Sequence, residues 1–156
     1  MTEVPIVRPV ADWLHDVQDE RRRYRGFIEA PATPEQIAAL REDVRADLGI
    51  DLPEDYAAFL ALSNGLEWNG TLFYATERRA ESADRPFRFG LLEVNLEHRG
   101  SAVLGKLLAL GESDMDMYIY DPSRREYRII DRFSTDTSET YPSFEALFDA
   151  VFRTQL

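Results

Sequence analysis

The sequence predicts an α+β fold: an antiparallel sheet of about four to six strands, with N-terminal helices and a C-terminal helix packed on it. Three observations carry this. Apolar residues recur at helical spacing in the first third of the chain and again at its end. Between them lie short alternating segments bounded by turn residues, the pattern of strands. Asn69-Gly70 stands between strand-like residues, a strong short-range hairpin signal. Helices segregated from a run of strands define the α+β class.

Taken in order, Val10, Trp13, Leu14 and Val17 follow the i, i+3, i+4, i+7 rule and predict a first helix. Arg21, Arg22, Arg23 and Arg25 fall near its end, where positive charge suits the backbone dipole. Thr33-Pro34-Glu35-Gln36 supplies a capping box with proline at the first helical position. Ile37, Leu40, Val44 and Leu48 continue that helix as an apolar stripe, and Gly49 offers a left-handed stop. In "IDLPEDYAAFLALSNGLEWNGTLFY", Pro53 opens a third helix whose first turn holds Glu54 and Asp55, and Asn64-Gly65 closes it. Tyr56, Phe59, Leu60 and Ser63 share a face of that helix. The hairpin that follows should set Trp68 opposite Thr71 and Leu66 opposite Phe73, all on one face.

Glu77 to Phe89 shows scattered charge and no sustained period, and reads as a surface loop or short irregular excursion. Leu91 to Arg99 fits a short helix. "LLALGES", "MDMYIYD" and "EYRIIDRF" read as three successive strands, with Asp121-Pro122-Ser123 turning the chain into the last of them. In the middle strand, Met115, Met117 and Ile119 alternate with Asp116, Tyr118 and Tyr120, giving an aliphatic face and a mixed aromatic and acidic one. Ser143 caps a final helix striped by Phe144, Leu147, Phe148, Val151 and Phe152.

The 156 residues, 44% hydrophobic and 12% aromatic, suit a single domain over 1–156 with one ring-rich core. Its best-supported part is 33–152, preceded by an N-terminal helical extension over 1–32. Basic side chains number 18 and acidic ones 29, a net charge of −11 that repels nucleic acid and anionic lipid and attracts cationic partners. Cysteine is absent, which removes disulfides and thiol chemistry. "MTEVPIVRPVADW" lacks a leader pattern and no long apolar run follows, so a soluble, cytoplasmic protein is expected.

The candidate chemistry is thin. "GSAVLGKL" matches the start of a phosphate loop, with Lys106 the only lysine in the chain. Its lead-in is too polar for a buried strand, Leu107 stands where serine or threonine would hold magnesium, and a strand pattern follows where a helix is needed. The glycines are expected to serve turns, and no cofactor is expected. In "GESDMD", Glu112, Asp114 and Asp116 alternate, but a calcium-loop reading puts Met117 at the required glycine and Ser123 at the required glutamate. A solvated acidic rim is the expectation, with no metal. His15 and His98 form no paired motif, and Ser63, Ser101 and Ser113 lack a nucleophile's setting. No catalytic set emerges.

"LPEDYAAFLALSNG" resembles the signature of the SUKH superfamily, which includes bacterial toxin-immunity proteins and the fungal Smi/Knr-type cell-wall regulators. The matching residues are Leu52-Pro53, Tyr56, Phe59-Leu60 and Asn64-Gly65, followed in order by Gly111-Glu112-Ser113, Tyr120-Asp121 and Ser143-Phe144. The arrangement looks closest to the YrhA-like branch and runs from about Thr33 to Phe152. The resemblance implies a non-enzymatic α+β domain that binds a protein, in bacteria a toxin and often a nuclease. A basic toxin domain suits the acidic charge. A regulatory or scaffold module with an endogenous partner is the alternative. The Leu52 to Gly65 block itself reads as structural, so the candidate docking residues lie outside that block: Glu112, Asp114, Asp116, Tyr118 and Tyr120, with Trp68 an anchor if its ring is exposed. Oligomeric state is left open.

Overall fold

The computed structural model describes residues 6–154; Met1–Pro5 of the expected N-terminal extension, and Gln155 and Leu156, lie outside the described residues. The helices are α1 (Val10–Arg23), α2 (Pro34–Leu48), α3 (Glu54–Leu60), α4 (Leu91–His98) and α5 (Phe144–Arg153). The strands are β1 (Leu66–Trp68), β2 (Thr71–Phe73), β3 (Leu108–Glu112), β4 (Asp116–Asp121), β5 (Glu126–Asp131) and β6 (Thr137–Tyr141). They form one six-stranded antiparallel sheet in the order β1-β2-β3-β4-β5-β6. This is the predicted α+β architecture, at the upper end of the expected strand number.

Local chemistry sets several element boundaries. Thr33 Oγ1 accepts from the Gln36 amide while the Gln36 side chain accepts from the Thr33 amide, so the capping box closes both ways. Gly49 then ends α2 in the left-handed region at φ 68°. Ser143 Oγ accepts from the Ala146 amide at the start of α5. Asn69 and Gly70 both have positive φ, which a type I′ turn demands, and the register is the expected one, Leu66 with Phe73 and Trp68 with Thr71.

An aromatic cluster fills the space between the sheet and helices α3 and α5. Phe73 on β2 lies 5.2 Å from the Tyr118 ring and 5.3–5.8 Å from the rings of Phe148, Phe144 and Phe59. Gly111 makes the Phe73–Tyr118 stack possible. A Cβ there would lie 2.3 Å from the Leu72 carbonyl oxygen and 2.9 Å from the Phe73 ring.

Along β3, Asn95 of α4 replaces a missing strand neighbour. Its amide nitrogen donates to the Ala109 carbonyl at 2.9 Å and its amide oxygen accepts from the Ala109 N–H at 2.8 Å. The ladder groups that β2 is too short to reach are thereby satisfied.

The N-terminal helix is no loose appendage, because Val10, Trp13, Leu14 and Val17 are all buried in the core. Asp149 of α5 fixes it in place. Its carboxylate accepts from Trp13 Nε1 at 3.1 Å, the Arg8 amide at 3.2 Å and Arg153 Nε at 2.8 Å. Burial alone would raise the Asp149 carboxyl, but the bonds from Arg153, Trp13 and the Arg8 amide outweigh it and hold the group below the usual carboxylate range.

The same direction holds at Asp121, where burial is outweighed by Ser123 and by the Arg128 guanidinium. A carboxyl held low in the folded state takes up its proton more readily in the unfolded chain. The stability it provides is therefore complete above the unfolded value, about 4, and is lost as pH falls through the lower folded value. Thermal melts at stepwise lower pH should show the midpoint falling below about pH 4. Asp149→Asn should be less stable at pH 7 and should lose less of its remaining stability on acidification.

Candidate protein-docking surface

The expected acidic and aromatic docking face is divided by the structure. Tyr118 is 3% exposed, stacked on Phe73 and interacting with Ser113 and Thr71, so it belongs to the core. Its candidacy as an exposed contact is corrected for a plain reason: the face it shares with Asp116 and Tyr120 is the one that α3 and α5 cover. Burial pushes its hydroxyl up, and the bonds to Ser113 and Thr71 offset only part of that. Tyr120 is half-buried, with its ring 4.9 Å from that of Tyr127. Trp68 is half-buried as well, packed on the core beneath the Arg21 guanidinium at 5.4 Å.

The acids separate differently. Glu112 is partly buried, accepting from the Tyr74 hydroxyl at 2.9 Å and pairing with Arg132 at 3.0 Å. Asp114 projects from the β3–β4 turn into solvent. Asp116 is half-buried opposite Asp131 in the β4–β5 register; burial first, then the Asp131 charge, pushes its carboxyl up. Asp131 moves the other way, held down by the amides of Ser134 and Phe133.

The other charge-rich region is directed inward. Glu29 lies between two guanidiniums, bonded to Arg79 at 2.9 and 3.0 Å and to Arg88 at 2.8 Å. Arg79 also donates to the Pro86 carbonyl and Arg88 to the Glu77 carbonyl. The excursion over 77–89 is thus strapped to the body through Glu29. Next to it, a cleft between α1, residues 27–29 and the β1–β2 hairpin encloses about 50 Å³. That holds a few waters, against roughly 300–1,000 Å³ for an ordinary ligand pocket.

The lysine segment has none of the phosphate-loop geometry. α4 leads into it, Leu104–Lys106 form a single 3-10 turn, strand β3 follows, and Lys106 is exposed. His15 pairs with Asp19 on the outer face of α1, while His98 sits in the last turn of α4. Among the described residues no three acidic or histidine side chains group closely enough to hold a metal ion. Among the same residues no helix is long and apolar enough to cross a membrane.

The family model for the SMI1 / KNR4 family (SUKH-1) matches residues 31–150, more than half of the chain. The chain belongs to that family. No curated protein matches it. α1 lies outside the SUKH-1 match yet contributes to the core.

Within the SUKH-1 region, the residues that carried the resemblance hold the fold together. The Tyr56 hydroxyl donates to the carbonyls of Tyr74 and Leu110, tying α3 to β2 and β3. Asp55, in the same stretch but not one of the matching residues, accepts from the Tyr127 hydroxyl and from the Phe144 amide, the latter at 2.7 Å, and so joins α3 to β5 and caps α5. Asn64 brackets Thr76 with two hydrogen bonds, and Gly65 has φ 84° with the Phe73 carbonyl oxygen 3.0 Å from where a Cβ would be.

Sequence reasoning missed two side chains. Met115 is 62% exposed and Phe133 is 77% exposed. The available signal was an aromatic inside the turn-forming run "DRFSTD", read there as the end of a strand.

Proposed function

We propose that this SUKH-1 protein is a non-enzymatic, cytoplasmic binding protein: an immunity protein that neutralises a cognate bacterial toxin by binding the toxin's basic domain, a nuclease being the kind that fits. Residues 33–152 form its central part and α1 an integrated extension of the same domain. The observation that carries the reading is how the family motif is used. Tyr56 and Asn64 direct their polar atoms into the fold, and Phe59 beside them fills the core. What the molecule offers outward is its shape and a field of net charge −11, suited to steering a cationic protein and unsuited to nucleic acid or anionic lipid.

Co-expression with the product of the gene next to its own tests the proposal. Immunity predicts that the two proteins co-purify at low salt and that growth is restored. It also predicts that deleting the immunity gene harms only cells that carry the toxin. Harm in cells without the toxin would favour a regulatory or scaffold role with an endogenous partner.

A further inference from the structure

Two turns meet at one end of the sheet. The Arg132 amide donates to the Met115 carbonyl at 2.9 Å, which sets the β3–β4 turn beside the β5–β6 turn. Each carries a large apolar side chain into solvent, Met115 at 62% exposure and Phe133 at 77%. Phe133 is held from below: its amide donates to Asp131 Oδ1 at 2.9 Å, the Ser134 amide donates to the same oxygen at 2.8 Å, and the Thr135 amide donates to the Asp131 carbonyl. The ring is therefore presented on an ordered turn, so little freedom remains to be lost when it is covered.

Acids surround this pair. Asp114 and Asp136 are exposed within the two turns, Asp116 and Asp131 lie half-buried at the adjoining strand ends, and Glu139 is exposed on β6. The nearby cation Arg132 is tied to Glu112 and to the Ser113 carbonyl. The arrangement is a small apolar centre within a negatively charged rim, the anatomy of an interface hot spot.

We infer that this end of the sheet, with Phe133 and Met115 at its centre, is the surface that docks the partner, and that the partner presents a cationic surface with an apolar recess. This rests on the binding role proposed above and assigns it a place. A second copy of the chain is a poor occupant. A two-fold contact would set Asp114, Asp136 and Glu139 against the same acids of the other protomer.

The probe is the purified product of the neighbouring gene, titrated against the full chain and two double variants. Phe133→Ser with Met115→Ser should weaken binding by roughly 30-fold, mainly through faster dissociation, while the thermal midpoint stays where it was because neither side chain is buried. Asp114→Lys with Asp136→Lys should slow association about tenfold and flatten its salt dependence. Wild-type binding that both double variants leave unchanged would overturn the assignment while the binding role stands. Failure of the wild type to bind would overturn both. A wild-type homodimer in sedimentation that the Phe133 and Met115 changes dissolve would also overturn it, by giving the patch to self-association.

Discussion

Glu29→Ala is expected to destabilise the protein by about 3–5 kcal/mol, because in a largely desolvated site it leaves Arg79 without a carboxylate and Arg88 with only the more distant Glu77. Glu29, Arg79 and Arg88 have side-chain exposures of only 13%, 16% and 15%. The carboxylate bonds both nitrogens of the Arg79 fork and one of Arg88; the exposed Glu77 carboxylate, 3.6 Å from Arg88, is a more distant partner for that guanidinium and not for Arg79. Chemical denaturation supplies the number, and trypsin locates the effect. Wild type should resist cleavage after Arg79 and Arg88, whereas the variant should be cut there first. Glu54→Ala is the control, since it removes an equally short ion pair with Arg41 from an exposed site and should leave the midpoint where it was.

Gly111→Ala is expected to cost about 1–3 kcal/mol, at or beyond the upper end of that range for one added methyl. The contact it creates is with backbone: the Leu72 carbonyl oxygen 2.3 Å away belongs to the neighbouring strand and cannot rotate aside. Relief requires opening the β2–β3 pairing, which is only two residue pairs long, or separating Phe73 from Tyr118. Loss of near-ultraviolet dichroism from the aromatic cluster should accompany the lower midpoint. Gly100→Ala, where a Cβ meets nothing within 4 Å, should have little effect.

The helices were legible because their apolar residues recur at helical spacing, and two of them carry side-chain caps as well; the Thr33 box and the Ser143 cap are short-range facts that packing does not need to complete. The β1–β2 hairpin was legible for the same reason, its register following from Asn69-Gly70. Strand β6 was not placed as an element, since "TSETY" has no apolar alternation and its residues lie exposed at the sheet edge. Alternation in β4 correctly grouped Asp116, Tyr118 and Tyr120 on one side, but period alone does not say which side the helices cover. The Glu29 strap was out of reach, because its partners lie 50 and 59 residues away and charge offers no pairing code over that distance. Phe133 and Met115 were missed because their prominence depends on two turns meeting in space.

The central claim is that the protein acts by docking a basic protein through shape and charge, leaving no bond changed. The deciding experiment is calorimetric titration of the neighbouring gene's product into the full chain at about 50 mM and about 300 mM salt. A saturable complex that weakens at least about tenfold at the higher salt is expected. The absence of any complex at the lower salt would contradict it.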